Sequence, residues 1–572
     1  MGSSKLMTIV AFCVPVLLGG CGGEPLDPNP PPPGNALGCT TVTTLGLATG
    51  QSSVLDPATN GGCLQFPAAG TTASEYLLAA VATNGRETAS GISTGYELRG
   101  ASATPAAAVA AVNLPPGLNP ILPAFQPKSS LAFHAFLRSR ERMLAESPGA
   151  ISFALRGLNP GVVAVPPIVG SQRTFHVCAN VSCSSFVDVT ATAKRVGPKG
   201  AIYLDDSVPT GGYTQAEIDS VGNLFDNYLY PLDTTSFGRE SDLDNNGVVA
   251  VLLTDQVNKL SPDCNTGGSV ILGFFYGNDL IPGNTGSNGG EVFYGLVPDP
   301  TNTRCTITHA FAANYLAPTF IHEFQHMISY NQHVLLRGGL SEDTWLNEGL
   351  SHFAEELGGR NIPDQFCVAS DCLSQYATGD LQNAYDYLKA PEAQFLVEPS
   401  SSNGTLEERG ANWLFVRWLV DQFGADVTGS AFTRSLVATS RVGADNVATT
   451  TGVPFATLVP QWQLANYLDD LPGFVTSEPR LRYSSWNLRG TFDNLHNQDP
   501  STFPQSYPLV PDSTLTGSYD RLGTLRAGSG LHLRVIQAPQ APAVTLQLTD
   551  SLRRAFTGST VAAPRIGVVR IR

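Results

Sequence analysis

The stretch Ala317–His333, "APTFIHEFQHMISYNQH", constrains the fold more than any other part of the chain. Phe320, Ile321, Phe324, Met327 and Ile328 make a strongly apolar helix, yet His322, Glu323 and His326 are embedded in it. Buried His and Glu are costly without partners, so a fold that buries this helix has to supply them. An α-helix turns about 100° per residue, which puts positions i and i+4 on one face about 6 Å apart along the axis. Two imidazoles placed this way converge on one cation, and Glu323, at the edge of that face, reaches a water beside it. The competing reading is an amphipathic helix whose polar residues make ordinary core contacts.

A zinc ion that activates water needs a third protein ligand and leaves a fourth position open. The metzincin pattern would place Gly at 329 and His at 332, where this chain has Ser329 and Gln332. On a continued helix His333 shares the face but lies about 10 Å further along the axis, too far for the same ion. The remaining candidate is Glu348 in "DTWLNEGLSHFAEELGG", read as a second helix with Trp345, Leu346, Leu350, Phe353 and Leu357 as its apolar face. One turn region, "RGGLSED", separates the two helices. An antiparallel pair would return Glu348 to the metal.

The rest of the 572-residue chain is rich in turns and strands, with 57 Gly, 41 Pro and 14% charged residues. Such a composition suits a multidomain β-rich exported protein better than a long helical bundle. The net charge is −15 with no basic stripe, which argues against nucleic acid as a partner. Residues 39–112 read as a small β-rich domain, 113–171 as a Pro-rich linker with a helix, 172–472 as the metal-bearing domain, and 473–572 as a C-terminal β-rich domain. Within the third region, "GVVAVLLTD", "SVILGFFYG" and "EVFYGLVPD" read as strands, and Thr214 followed by Glu217 as a helix-capping box. "GANWLFVRWLVDQFG" reads as a helix ending at Gly424.

The N-terminus reads as an export signal over residues 1–21, with Lys5 before the apolar run "MTIVAFCVPVLLGG". Leu18-Gly19-Gly20-Cys21 resembles a bacterial lipobox, which implies lipidation of Cys21, and residues 22–38 follow as a Pro-rich tether. The expected location is the bacterial cell envelope, at the outer membrane or cell surface, with the membrane met only through the lipid. Eight further cysteines lie beyond these, apart from Cys13 in the signal. An even number in an exported chain implies disulfides. Sequential pairing is the simplest scheme: Cys39–Cys63, Cys178–Cys183, Cys264–Cys305 and Cys367–Cys372.

His-Glu-x-x-His followed by Asn347-Glu348 resembles the gluzincin class of zinc metallopeptidases. The string "HEFQHMISY…WLNEGLSHFAEE", with "DLDNNGVVAVLLTD" and "EVFYGLVPD" upstream, is most similar to the hyicolysin family of bacterial neutral metallopeptidases. The resemblance covers about residues 172–470. It implies an α+β, zincin-type catalytic domain flanked by β-rich domains, with one Zn²⁺ on His322, His326 and Glu348, Glu323 as general base, and a protein or peptide substrate. Glu355, seven residues after Glu348, matches the aminopeptidase-type pattern of a residue supporting a zinc-bound histidine. His352 stands where thermolysin-like enzymes carry an Asp. His352, Tyr385, Tyr387 and Arg409 are candidates for the donor to the tetrahedral oxyanion. No Gly-x-Met-Glu-Asn motif is present, which favours an endopeptidase over an aminopeptidase. A surface-tethered adhesion protein with a non-catalytic zinc site is the rival, and the intact Glu323 argues against it. "DLDNNG" begins like a Ca²⁺ loop with Asp242, Asp244 and Asn246, but Leu253 stands where the bidentate Glu belongs. A polar turn and a Ca²⁺ site completed by distant residues are both open readings.

Overall fold

The computed structural model describes residues 37–100, 131–146, 165–261, 270–302, 306–367 and 371–572. The signal, Cys21 and nearly all of the tether lie outside the described residues, as do Cys264 and Cys305. The other three expected disulfides, Cys39–Cys63, Cys178–Cys183 and Cys367–Cys372, are formed. Among the described residues no helix is long and apolar enough to cross a membrane.

Among the described residues the architecture is α+β, built from three sheets and a helical half. The central sheet contains β6 (Gln172–Cys178), β7 (Phe186–Val196), β8 (Gly200–Asp205), β9 (Val249–Leu253), β10 (Gly273–Phe275) and β11 (Val292–Gly295). Its strand order is β10-β11-β9-β8-β7-β6. The parallel pairs β8–β9 and β9–β11 form its middle, and β10 runs antiparallel to β11 at one edge. The middle strand, VAVLL, is buried along its whole length, as expected where both faces of a parallel sheet are covered. Towards the far edge β7 alternates, with Val189, Ala191 and Ala193 turned inward.

The sequence assigns residues 39–112 and 473–572 to separate β-rich domains, but their strands share two sheets. One sheet joins β1 (Thr43–Thr44), β3 (Cys63–Phe66) and β5 (Ser93–Gly100) with β13 (Asp520–Arg526) and β15 (Val544–Asp550). The other joins β2 (Ser52–Leu55) and β4 (Ser74–Ala82) with β12 (Asp512–Thr514), β14 (Gly530–Gln537) and β16 (Pro564–Arg570). Phe66 and Tyr76 meet between the sheets with ring centroids 5.0 Å apart. The physical reason is β4. All nine of its residues are buried, and it lies between β14 and β16, so the N-terminal strands have no complete core without the C-terminal ones.

The helices are α1 (Leu131–Glu146), α2 (Gln215–Leu224), α3 (Tyr230–Phe237), α4 (Asp255–Lys259), α5 (His309–Tyr330) and α6 (Thr344–Arg360). They continue with α7 (Cys372–Lys389), α8 (Leu406–Phe423), α9 (Ser430–Val437), α10 (Gly443–Thr451), α11 (Phe455–Leu468) and α12 (Leu488–Gln498). Thr214 and Glu217 close the capping box on α2, and Thr405 with Glu408 does the same for α8. Trp345, Trp413, Trp418 and Trp462 are fully buried where α6, α8 and α11 meet. Because α12 lies within 473–572, the helical half extends further than the sequence boundary at 472.

Candidate metal centre

Helix α5 begins at Thr308, whose hydroxyl accepts the Phe311 N–H at 3.1 Å. Pro318 in its middle removes the N–H that would bond the Asn314 carbonyl. Gln375 of α7 donates to that carbonyl at 3.1 Å, so the helix runs on through the proline. Beyond Tyr330 the chain makes one wider turn, Asn331–Leu335, and then reverses through a segment where Gly338 takes φ 63°. Helix α6 follows against α5, which returns Glu348 to the two histidines.

Three ligand atoms converge there. His322 Nε2 and His326 Nε2 are 3.1 Å apart. Glu348 Oε2 is 3.6 Å from His322 Nε2, and Glu348 Oε1 is 3.7 Å from His326 Nε2. Ligands of a tetrahedral Zn²⁺ at 2.0–2.1 Å are separated by about 3.4 Å, so the triangle fits that ion. Both imidazoles present Nε2 because their Nδ1 atoms are already bonded. His322 Nδ1 is 2.7 Å from Glu355 Oε1, and His326 Nδ1 is 3.1 Å from Ser351 Oγ. Such partners fix the tautomer and ring orientation of a ligand histidine.

Glu323 also lies close to the two histidines, but its carboxylate is engaged elsewhere. Oε2 accepts the Phe275 N–H of edge strand β10 at 3.0 Å. Oε1 is 3.4 Å from His134 Nδ1 of α1. This leaves Glu348 as the candidate third ligand, with Glu323 beside the triangle of ligand atoms.

The centre is deeply buried, with His322 8%, Glu323 1%, His326 1% and Glu348 3% exposed. Burial alone would push Glu323 up, yet His134 and the two site histidines hold its carboxylate down at about 2. Burial likewise opposes ionisation of Glu348, but Arg409 and the histidines hold it well below the usual carboxylate range. Burial lowers His322, and the carboxylates of Glu348 and Glu355 outweigh it, raising the imidazole to about 9. Burial, reinforced by Arg138, holds His326 well below its ordinary value. A site of two carboxylates around paired imidazoles suits a divalent cation electrostatically.

The remaining sequence candidates divide. Glu355 stands behind His322, 2.7 Å from its Nδ1. His352 joins the same chain of bonds, with Nδ1 3.0 Å from Glu355 Oε1 and 2.8 Å from Asp380 Oδ1. Burial works against its charge, but these two carboxylates raise it to about 10. Arg409 faces the ligand carboxylate, with Nε 3.8 Å from Glu348 Oε2 and Nη1 2.9 Å from Glu398 Oε1. These contacts set it against Glu348, while its Nη2 finds no hydrogen-bond partner among the described residues.

Tyr385 and Tyr387 are not brought to the centre. The Tyr385 hydroxyl donates to the Gln505 carbonyl at 2.8 Å and accepts its N–H at 2.7 Å. The Tyr387 hydroxyl accepts from Gln463 at 2.8 Å, and its ring stacks on Trp462. Both belong to the packing between α7 and the C-terminal third of the chain.

The Asp242–Gly247 segment is a polar turn. Asp242 Oδ1 accepts the N–H groups of Asn246 and Gly247, and Asn246 Oδ1 accepts that of Val248. Asn245 and Gly247 take positive φ, and Asn246 donates to Asp244 at 2.7 Å. Asp242, Asp244 and Glu291 do approach one another, but the Arg173 guanidinium is already 3.5 Å from Asp244. The arrangement gives calcium no support.

Sequence reasoning missed four participants: Ser351, the Phe275 N–H, and His134 and Arg138 of α1. Ser351 had a detectable signal, since it lies three residues after Glu348 on the same helical face. The other three reach the site through tertiary packing.

No known protein-family profile matches the chain. The neutral metalloprotease ShpI of Staphylococcus hyicus is 32% identical over 149 residues, which is 25% of this chain and 31% of that protein. The chain therefore spans about a third of the curated relative's length. Among solved structures, a mutant M1 zinc metallopeptidase from Deinococcus radiodurans bound to a Tyr-Ser-Ala substrate shows 14% identity. That match covers 56% of this chain and 50% of the other, with a TM-score of 0.24, too low to carry an argument.

Proposed function

We propose that this protein is a zinc-dependent endopeptidase exported to the bacterial cell envelope and held there by lipid on Cys21. The observation that carries the reading is the convergence of His322 Nε2, His326 Nε2 and Glu348 with Glu323 beside them. The likeness to ShpI supports it. The three disulfides support an oxidising, extracytoplasmic location.

His322, His326 and Glu348 would hold a Zn²⁺ ion, which would supply Lewis acidity to a water and to the scissile carbonyl. Glu323 takes the proton of the attacking water on a carboxylate oxygen and returns it to the leaving amine. Its other oxygen, bonded to the Phe275 N–H, fixes the carboxylate between β10 and α5. Glu355 and Ser351 orient the two imidazoles, and Arg409 keeps Glu348 ionised. Among the described residues the outer edge of β10 has no strand partner, and an extended substrate would pair along it once that edge is uncovered.

The test is hydrolysis of a fluorescently labelled, unfolded protein by the zinc-loaded chain, beside Glu323→Gln. Loss of cleavage in Glu323→Gln with zinc content retained supports the assignment. Equal cleavage by that variant refutes Glu323 as the base.

A further inference from the structure

Helix α1 lies on the catalytic groups themselves. Phe133 packs edge-on against Phe274 of β10, with ring centroids 5.0 Å apart. One turn on, Leu137 is buried, and Arg138 Nη2 stands 4.0 Å from Glu323 Oε2 and 3.0 Å from Glu141 Oε1. His134 Nδ1 is 3.4 Å from the other Glu323 oxygen. The helix also presses on the turn after β10, where a Cβ on Gly277 would come within 2.6 Å of the Glu141 side chain. Its far end is tied down by Arg142, which bonds both oxygens of Glu87 at 2.8 and 2.9 Å and the Thr344 hydroxyl at 3.3 Å. Thr344 opens the helix that carries Glu348.

The consequence is steric. Edge strand β10 and Glu323 would together line the groove an extended substrate enters, and α1 covers them with Phe133, His134 and Arg138 while Leu137 is buried on the same helix. Arg138 is 3% exposed, and its Nε and Nη1 find no hydrogen-bond partner among the described residues. A guanidinium buried for packing alone is expected to be bonded throughout. Here it stands against the general base, which neutralises the one carboxylate the reaction requires to be free.

We infer that α1 is an intramolecular inhibitor: it occupies the substrate groove, covers the general base, and has to undock before a peptide reaches Glu323. This rests on the peptidase reading above and adds its regulation. In the docked state His134 and Arg138 stand against the two Glu323 oxygens. In the undocked state β10 regains its edge and Glu323 its water.

The experiment uses the full, zinc-loaded chain, Leu137→Asp and Arg142→Ala. Leu137→Asp places a charge in the helix–groove contact, and Arg142→Ala removes the distal tie while leaving the buried face intact. Two rates are measured: cleavage of the labelled unfolded protein, and extraction of zinc by a chelator. Undocking raises the competent fraction and both rates together. The expected rise is about tenfold or more for Leu137→Asp, and a smaller rise for Arg142→Ala. A synthetic peptide of residues 131–146, added to Leu137→Asp, should suppress cleavage again. If the parent chain cleaves as fast as both variants, or if Arg142→Ala cleaves more slowly, α1 is not an inhibitor and the peptidase reading stands. If the variants release zinc faster yet cleave nothing, the peptidase reading itself falls, and the inhibitor with it.

Discussion

Two adjacent glutamates on α6 should behave as opposites. Glu355 and Glu356 lie about 100° apart around the helix. Glu355 faces His322 and His352, whereas Glu356 faces α8. The Glu356 carboxylate is fully buried and accepts the indole N–H groups of Trp413 at 3.0 Å and Trp486 at 2.9 Å. It also pairs with Arg417 at 3.2 Å and with Arg360. In Glu356→Gln the amide keeps one acceptor oxygen and turns an NH₂ towards donors. At least one buried indole N–H is then unpaired, which costs about 1–3 kcal/mol. Arg417 loses part of its counter-charge but keeps Asp421 at 2.8 Å, which limits the further loss to the low end of a broken buried pair. The sum is about 4–6 kcal/mol.

Denaturant unfolding followed by Trp fluorescence measures this loss, and zinc affinity in the folded protein should change little. Glu355→Gln removes the charge that orients His322 and should weaken zinc binding about 10–100-fold. A Glu356→Gln loss below about 1 kcal/mol, or Glu355→Gln zinc affinity within about threefold of the parent, would refute the division of roles.

Ser351→Ala removes the acceptor that orients His326. It should lower zinc affinity about tenfold in a chelator competition, with Ser351→Thr restoring part of it. His532 is buried, with Nε2 2.9 Å from the Gln463 carbonyl, and burial pushes it down to about 4. The unfolded chain therefore binds this proton first. The neutral group's contribution is full above about pH 6.5 and is lost as pH falls towards 4, for about 3 kcal/mol in all. His532→Gln should flatten the stability profile in that window while leaving it unchanged at pH 8, as thermal melts across pH would show. Thr405→Ala opens the capping box of α8 and should cost about 1 kcal/mol, read as a lower denaturation midpoint.

The site was legible in the sequence wherever its logic is local. His322 and His326 are one helical turn apart, and Glu348 follows after one reversal, so periodicity and a turn signal are enough to bring them together. Glu355 needed the family resemblance, and the 2.7 Å contact with His322 agrees with it. Three of the disulfides follow from short loops and exported context. The β-sandwich was not legible as one unit, because β4 pairs with strands more than 400 residues away and such pairing leaves no local pattern. Tyr385 and Tyr387 sit near the site in sequence only; their rings point from α7 into packing against Phe492 and Trp462. His134 and Arg138 belong to a helix that reads as mixed charge and modest amphipathicity. What they do is decided by the groove the helix enters, and sequence periodicity carries no information on that.

The most direct test of the metal centre is a zinc titration of the full chain beside Glu348→Ala. The account predicts a single ion per chain and a loss of affinity of at least about 100-fold in the variant. Unchanged affinity in Glu348→Ala would contradict it.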